Sequence, residues 1–134
     1  RFGISRDLGF TAEERSENLR RGAEVARLLN DSGLICIAAF VAPHDSVRQK
    51  VRRVVGKNRL LHIHLSTPIE VCRSRDTTGR YRAVDQGEIT SFPGVTFEYE
   101  EPTDADLVLA TASRDPASSA DDIARLMIDR GFLQ

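Results

Sequence analysis

Three short apolar runs, separated by segments with helical spacing, constrain the fold of this chain more than any other feature. The runs are LICIAAF (34–40), LLHIHL (60–65) and DLVLAT (106–111). Each has the length of a strand, and the first is apolar on both of its faces, as in the buried strands of parallel sheets. Strands that alternate with helices predict an α/β fold with helices on both faces of a mostly parallel sheet.

Four segments around these runs carry helix signals. Thr11 followed by Glu14 is a capping-box pattern, which predicts a helix over 12–32 that stops at Gly33. The other predicted starts are Asp45 or Ser46 for a helix that ends at Gly56, Thr67 in TPIE for a short helix to about Arg73, and Ser118 or Ser119 for a last helix that ends near Gly131. The stretch 75–102 has no clear period, which favours a lid or binding loop.

Composition excludes several classes of function. The 134 residues are 40% hydrophobic and 29% charged, which predicts a single domain over 1–134. The net charge of -1 gives no basic excess for nucleic-acid binding, and no apolar run reaches the length of a membrane span. Cys36, Cys72 and the three histidines lack the spacing of a metal site, so we expect the cysteines to be small buried side chains.

Two polar residues stand where the first helix should be apolar. At about 100° per residue, Arg15 falls within the stripe marked by Gly22, Ala26 and Leu29, and Asn18 falls at its edge. Because the helix leads directly into the first apolar run, its N-terminus should lie beside the carboxyl end of that strand, where α/β folds bind ligands.

The residues alone leave two interpretations of Arg15 about even. An arginine at a helix N-terminus opposes the helix dipole, and a bound anion would offset that cost. The alternative is a surface arginine that extends its charge into water or pairs with Glu14 or Glu17.

Several longer motifs carry a family resemblance. RFGISRDLGF is followed by EERSENLRRGAEVARLLNDSGLICIAAF, and then by TPIEVCRSRD, GRYR, GEITSFPGVTFEYEEP and LVL. In this order and spacing they resemble the adenylylsulfate (APS) kinase family over essentially the whole chain. Several motifs in register are more specific than any one short pattern.

The resemblance implies a fold and an activity. The implied fold is a P-loop NTPase-like three-layer α/β/α arrangement with a mostly parallel sheet. The implied enzyme transfers the γ-phosphate of ATP, bound with Mg²⁺, to the 3'-hydroxyl of adenosine 5'-phosphosulfate in sulfate assimilation. A cytoplasmic homodimer, in some members fused to an ATP sulfurylase, is expected by the same analogy.

The resemblance also implies roles for individual residues. Phe10 and Phe92 match the aromatic residues on the two faces of the substrate adenine, which suits the π-faces of a purine. Arg75 and Asp76 match the pair that opens the lid on the ATP side. The other matched substrate-binding residues are Arg1, Arg15, Asn18, Ile37 and Arg82, with Arg1, Arg15 and Asn18 expected to hold the phosphosulfate.

The chain departs from the usual family pattern at several positions. Ala42 replaces a serine in FVAP, and Arg82 replaces a substrate-contacting lysine, which keeps the charge but changes the donor geometry. Ala83, Asp85 and Gln86 further weaken the positive charge of the lid.

The part of the family pattern that holds phosphate is absent from these residues. No GxxxxGK[ST] motif occurs in the sequence, and neither does the DGD segment that supplies an acidic residue. We therefore expect the P-loop lysine, the DGD aspartate, and the first strand and helix of the fold upstream of Arg1, so the catalytic residues stay unassigned.

Three hypotheses follow from this pattern. The first is an adenylylsulfate kinase that acts together with the upstream segment. The second is a catalytically inactive, APS-kinase-like regulatory domain of an ATP sulfurylase, which binds the nucleotide product. The third is another P-loop kinase for a small molecule.

Overall fold

The computed structural model describes residues 3–133. They form two compact units. The first comprises the described residues through Leu60 together with 87–101, and the second comprises 61–86 and 102–133. The single domain predicted from the sequence stays a prediction, and each unit is described by itself.

Two helices, α1 (Ala12–Asp31) and α2 (Asp45–Val55), pack against each other in the first unit. The predicted capping box is confirmed, since the Thr11 hydroxyl accepts from the Glu14 N–H at 3.2 Å and the Glu14 carboxylate accepts from the Thr11 N–H at 3.0 Å. The predicted stop is confirmed as well, because α1 ends just before Gly33, whose φ of 78° suits a glycine. Short 3₁₀ turns occupy Gly3–Ser5 and Lys57–Arg59.

The segment 34–44 shows where one prediction was wrong. Residues 34–40 form no regular secondary structure, and Ile37 is 93% exposed, although a buried strand was predicted here. A strand requires a hydrogen-bonded neighbour, and within residues 3–133 the sheet consists of two strands from the second unit. The segment is instead placed against α1 by Phe40, because a Cβ at Gly22 would come 2.8 Å from the Phe40 ring.

Helix α2 is capped by a residue far from it in sequence. Asp45 and Ser46 were predicted as its N-cap, but the N-cap is His44, whose side chain makes no capping bond. The Asp45 N–H instead donates to the Glu100 carboxylate at 2.6 Å. A carboxylate at this end also favours the helix dipole.

The second unit contains two parallel strands, β1 (Ile63–Ser66) and β2 (Leu107–Ala110), with Ile63 paired to Leu107. This confirms that the second and third apolar runs are strands of a parallel sheet, as predicted. Leu109 is 1% exposed and forms the most buried point of this unit. Three helices complete the unit: α3 (Ile69–Ser74), α4 (Arg80–Asp85) and α5 (Pro116–Asp129). Helix α4 lies inside the stretch that was predicted to be irregular.

The predicted caps of α3 and α5 were both wrong. Pro68 is the N-cap of α3, because the Thr67 hydroxyl lies against the Thr111 hydroxyl and makes no capping bond. Asp115 caps α5, where its carboxylate accepts from the Ser118 N–H at 2.9 Å and its pKa is lowered by hydrogen bonds from Ser118.

Two further observations concern the described residues as a whole. Cys36 and Cys72 are free thiols and are half-buried, so they are less enclosed than the sequence predicted. None of the helices within residues 3–133 combines the length and apolar character needed to cross a membrane.

The Asp115 cap gives a test of the α5 boundary. We expect Asp115→Ala to lower the thermal midpoint by about 5 °C, because α5 loses the acceptor for its first-turn N–H. Asp121→Ala removes an exposed carboxylate of the same helix and should leave the midpoint unchanged. Differential scanning calorimetry of the two variants makes the comparison, and equal shifts would contradict the assignment of the cap.

Candidate functional site

Arg15 joins two distant parts of the first unit. Its Nε donates to the Phe10 carbonyl at 2.9 Å, and its Nη2 donates to the Ser91 carbonyl at 2.6 Å and to the Ser91 hydroxyl at 3.2 Å. The guanidinium carbon also lies 5.8 Å from the centre of the Phe10 ring. Arg15 therefore holds the loop that carries Phe10 close to the segment that carries Phe92.

The segment beyond Ser91 is a tight turn over 92–97. The Thr96 N–H donates to the Phe92 carbonyl at 2.9 Å, the Phe92 N–H donates to the Thr96 hydroxyl at 2.8 Å, and the Gly94 N–H donates to the Phe97 carbonyl at 2.8 Å. These bonds fix the backbone of Phe92 and Phe97 relative to each other. Phe92 is half-buried, whereas Phe10 is 55% exposed.

The end of this segment is attached to the start of α2. The Phe97 ring stacks on His44 with ring centres 5.8 Å apart and 21° between the planes. The Glu100 N–H donates to the Pro43 carbonyl at 2.9 Å, and its carboxylate lies 3.2 Å from His44 Nδ1. The pKa of Glu100 is lowered by the Asp45 N–H and, to a smaller extent, by His44.

Ala42, where the family pattern has serine, has an unusual backbone. Its φ is +43°, in the left-handed region that an alanine rarely adopts. Its carbonyl accepts from Arg48 Nη1 at 2.8 Å, and Arg48 is only 5% exposed. The same guanidinium lies 5.9 Å from the centre of the Tyr99 ring. The strained residue is thus held by a buried arginine that also contacts the segment 97–100.

Asn18 faces a cavity of about 310 Å³ within the first unit. Its remaining lining is mostly apolar and consists of Ile4, Ser5, Arg21, Gly22, Val25, Cys36, Ala38 and Phe40. Ile37 is absent from this lining, to which the segment 34–40 contributes Cys36, Ala38 and Phe40. The role of Ile37 in substrate binding stays a prediction.

A salt-bridge cluster holds the loop before α1. Arg21 donates to both carboxylate oxygens of Asp7 at 2.6 and 2.8 Å, to the Ile4 carbonyl at 2.7 Å and to Glu17 at 2.9 Å. Hydrogen bonds from Arg20 and then Arg21 lower the pKa of Glu17 to about 2, and the Arg21 bond lowers the pKa of Asp7. Asp7 and Glu17 are therefore both charged at neutral pH.

The predicted ATP-side residues have structural partners in the second unit. Arg75 donates to the Thr111 carbonyl at 3.1 Å and to the Ala112 carbonyl at 2.9 Å, just beyond the carboxyl end of β2. Asp76 accepts from the Thr78 N–H and the Tyr81 N–H, both at 2.9 Å, which holds the turn that opens α4. Arg82 is exposed on α4. Arg1 lies outside the described residues.

Comparison with known proteins identifies the family. A family model described as adenylylsulphate kinase matches residues 1–110. The chain belongs to this family.

Curated relatives and a solved structure agree with the family. The chain is 49% identical over its full length to a bifunctional enzyme CysN/CysC of Rhodopirellula baltica, of which it spans 21%. It is 41% identical over 99% of its length to an adenylyl-sulfate kinase of Shewanella amazonensis, of which it spans 67%. The Mycobacterium tuberculosis APS kinase CysC, solved with AMPPNP and APS, superposes with a TM-score of 0.86 at 33% identity over 93% of this chain and 73% of that one.

These matches define how far the adenylylsulfate kinase assignment extends. The α/β fold with parallel strands is that of APS kinase, as the sequence predicted. The chain spans 58% of another curated adenylyl-sulfate kinase, from Shewanella pealeana, and so covers roughly three fifths of such a protein.

Several side chains that shape the candidate site were missed by sequence reasoning. His44, Ser91, Phe97 and Glu100 act through contacts with residues about 50 or more positions away. No local period or motif predicts such contacts. The one available signal was the pairing of two aromatic residues, Phe92 and Phe97, around a glycine turn in an otherwise polar stretch.

The lowered pKa of Glu17 gives a titration test of the cluster. A carboxylate with a depressed pKa contributes stability above its ordinary value of 4.5, and that contribution is lost as the pH falls through about 2. We expect Arg21→Gln to raise the titration midpoint of the Glu17 carboxyl carbon, measured by NMR. Arg27→Gln is the matched control, because Arg27 pairs with Glu24 and Asp31. An unchanged Glu17 titration midpoint in Arg21→Gln would contradict the role of Arg21 in lowering the pKa of Glu17.

Proposed function

We propose that this chain supplies the adenylylsulfate-binding part of an adenylylsulfate kinase. The enzyme transfers the γ-phosphate of ATP to the 3'-hydroxyl of adenosine 5'-phosphosulfate and forms 3'-phosphoadenylylsulfate in sulfate assimilation. The observation that carries the proposal is the Arg15 bridge, which brings together two loops with the aromatic residues expected on either side of an adenine.

The chemistry of the bridge suits this substrate. Phe10 is exposed enough to stack on a base, and Phe92 sits on a hydrogen-bonded turn that limits its movement. A base between two aromatic rings gains stacking energy without specific hydrogen bonds, so its binding requires none of the polar groups of the site. The M. tuberculosis APS kinase complex with APS supports the assignment of the substrate class.

Arg15, Asn18 and Arg1 are proposed to hold the phosphosulfate. A guanidinium offers donors in a planar fork, which suits the oxygens of phosphate and sulfate. Asn18 adds an amide to a cavity that is otherwise mostly apolar. Arg82 and Ile37 are proposed as further substrate contacts on the strength of the family pattern alone.

The ATP side of the reaction is assigned only in part. Arg75 and Asp76 are proposed to shape the lid near ATP. The bonds of Arg75 beyond the carboxyl end of β2 and those of Asp76 at the start of α4 support this proposal. Mg²⁺ is proposed to arrive with ATP and to neutralise its phosphates. Residues 3–133 include no cluster of three or more His, Cys, Asp or Glu that could hold a metal ion, so no step is assigned to a metal site of this chain.

Location and assembly belong to the same proposal. A cytoplasmic enzyme is proposed from the family, as is a homodimer. The similarity to a bifunctional CysN/CysC protein over the full length of the chain supports fusion to a second sulfate-activating enzyme. The relatives named as adenylyl-sulfate kinases favour the kinase over an inactive regulatory domain.

The direct experiment is a kinase assay on the natural full-length protein. Adenylylsulfate and MgATP are supplied, and the formation of 3'-phosphoadenylylsulfate is followed by chromatography. Stoichiometric conversion supports the proposal. A folded protein that binds adenylylsulfate in calorimetry but forms no product would indicate the regulatory domain, and one that binds neither substrate would overturn the proposal.

Truncation of Phe10 tests the proposed binding of adenine between Phe10 and Phe92. We expect Phe10→Ala to raise the KM for adenylylsulfate about tenfold, because stacking of a base on an aromatic ring contributes roughly 1–3 kcal/mol. The KM for ATP should stay unchanged. Ile128→Ala is the matched control, since Ile128 is also 55% exposed but lies on α5. An equal effect of both variants on the KM for adenylylsulfate would contradict the proposal that adenine stacks on Phe10.

A further inference from the structure

We infer that Phe97 is a positioning residue for the adenylylsulfate site, which acts by fixing the Arg15 guanidinium and thereby the spacing of the loops that carry Phe10 and Phe92. The inference rests on the proposed function for its substrate. It goes beyond that proposal by assigning a role to a side chain for which the family pattern implied none.

The first step of the argument is the surroundings of Arg15. The guanidinium carbon lies 5.8 Å from the centre of the Phe10 ring and 5.9 Å from the centre of the Phe97 ring. A cation over the faces of two rings is attracted to both, and the rings restrict the plane in which its N–H groups point. The carbonyls of Phe10 and Ser91 accept from two of its nitrogens.

The second step is that Phe97 is itself fixed. Its carbonyl accepts from the Gly94 N–H at 2.8 Å, and a bridge of β type joins it to Pro93. Its ring stacks on His44, the residue that precedes the first turn of α2. An aromatic side chain with both its backbone and its ring held can serve as a rigid support for a neighbour.

The third step is the set of contacts that hold His44 and the start of α2 in place. Glu100 contacts His44 through one carboxylate oxygen and the Asp45 N–H through the other, and its own N–H donates to Pro43. The contacts run in one continuous series from α2 through His44 and Phe97 to Arg15, and from Arg15 to Phe10. Loss of the Phe97 ring breaks this series at its centre.

The kinetic test uses Phe97→Leu in the natural full-length protein. We expect the KM for adenylylsulfate to rise about fivefold, while kcat and the KM for ATP change less than about twofold. Phe97→Tyr keeps an aromatic face and should restore the KM for adenylylsulfate. In an Arg15→Ala background, Phe97→Leu should have no further effect, because a residue that acts through Arg15 is not additive with its loss.

Phe132→Leu is the matched control for the loss of an aromatic ring. Phe132 is also half-buried, but it lies just beyond α5. A general effect of a smaller side chain on stability would change both variants alike. Equal kinetic changes in Phe97→Leu and Phe132→Leu would therefore overturn the inference, as would full additivity with Arg15→Ala.

A second measurement separates this inference from the proposed function. The Arg15 guanidinium lies over two aromatic rings and its Nε–H donates to the Phe10 carbonyl. The NMR signal of this proton should therefore be shifted by ring currents, and the proton should exchange slowly with water. In Phe97→Leu we expect exchange of this proton to increase about tenfold. If the Arg15 Nε–H exchanges as slowly in Phe97→Leu as in the unaltered protein, the inference is overturned, even if the protein is an active kinase. If the unaltered protein fails to phosphorylate adenylylsulfate, the proposed function is wrong, and this signal alone decides the role of Phe97.

Discussion

The candidate site of this protein depends on one arginine that bonds to two backbone carbonyls. Arg15 connects Phe10, five residues before it, with Ser91, 76 residues after it. Carbonyls are present whatever the side chain, so these two bonds fix backbone positions. The neighbouring Asp7–Arg21 pair and the Thr11–Glu14 capping box hold the same loop from its other side. The site is therefore built mainly from contacts of main chain with charged side chains.

Local chemistry made much of the fold predictable. The capping box placed α1 within a residue, and the apolar runs around Ile63 and Leu109 gave both parallel strands. The errors occurred where a residue other than the predicted one took over a local role. Glu100 replaced the predicted cap of α2, Asp115 replaced the predicted cap of α5, and Thr67 contacted Thr111 when it was predicted to cap α3. Residues 34–40 read as a buried strand from their composition, but pairing depends on a neighbour and cannot be read from one segment.

The candidate site, like the fold, could be predicted from the sequence only in part. Helix geometry placed Arg15 and Asn18 at one end of α1 without naming a ligand, and the family resemblance supplied the ligand. The bonds of Arg15 to Phe10 and Ser91, and the stack of Phe97 on His44, required coordinates, because they join residues with no common period. The structure also adds to the interpretation of Ala42, which replaces a serine of the family pattern. Its carbonyl is held by the buried Arg48 in a left-handed backbone, so this position serves the geometry of the segment as well as any contact of its side chain.

The Glu100 cap makes the first turn of α2 dependent on a remote segment. When 97–100 lies against α2, the Asp45 N–H has a charged acceptor at 2.6 Å. If that segment moves away, the amide is returned to water and the helix end loses its negative partner. Docking of the segment and the hydrogen bonding of the first turn of α2 are thus coupled. The backbone amide of Asp45 therefore reports whether the segment 97–100 is docked, even though it lies on a helix with no predicted part in catalysis.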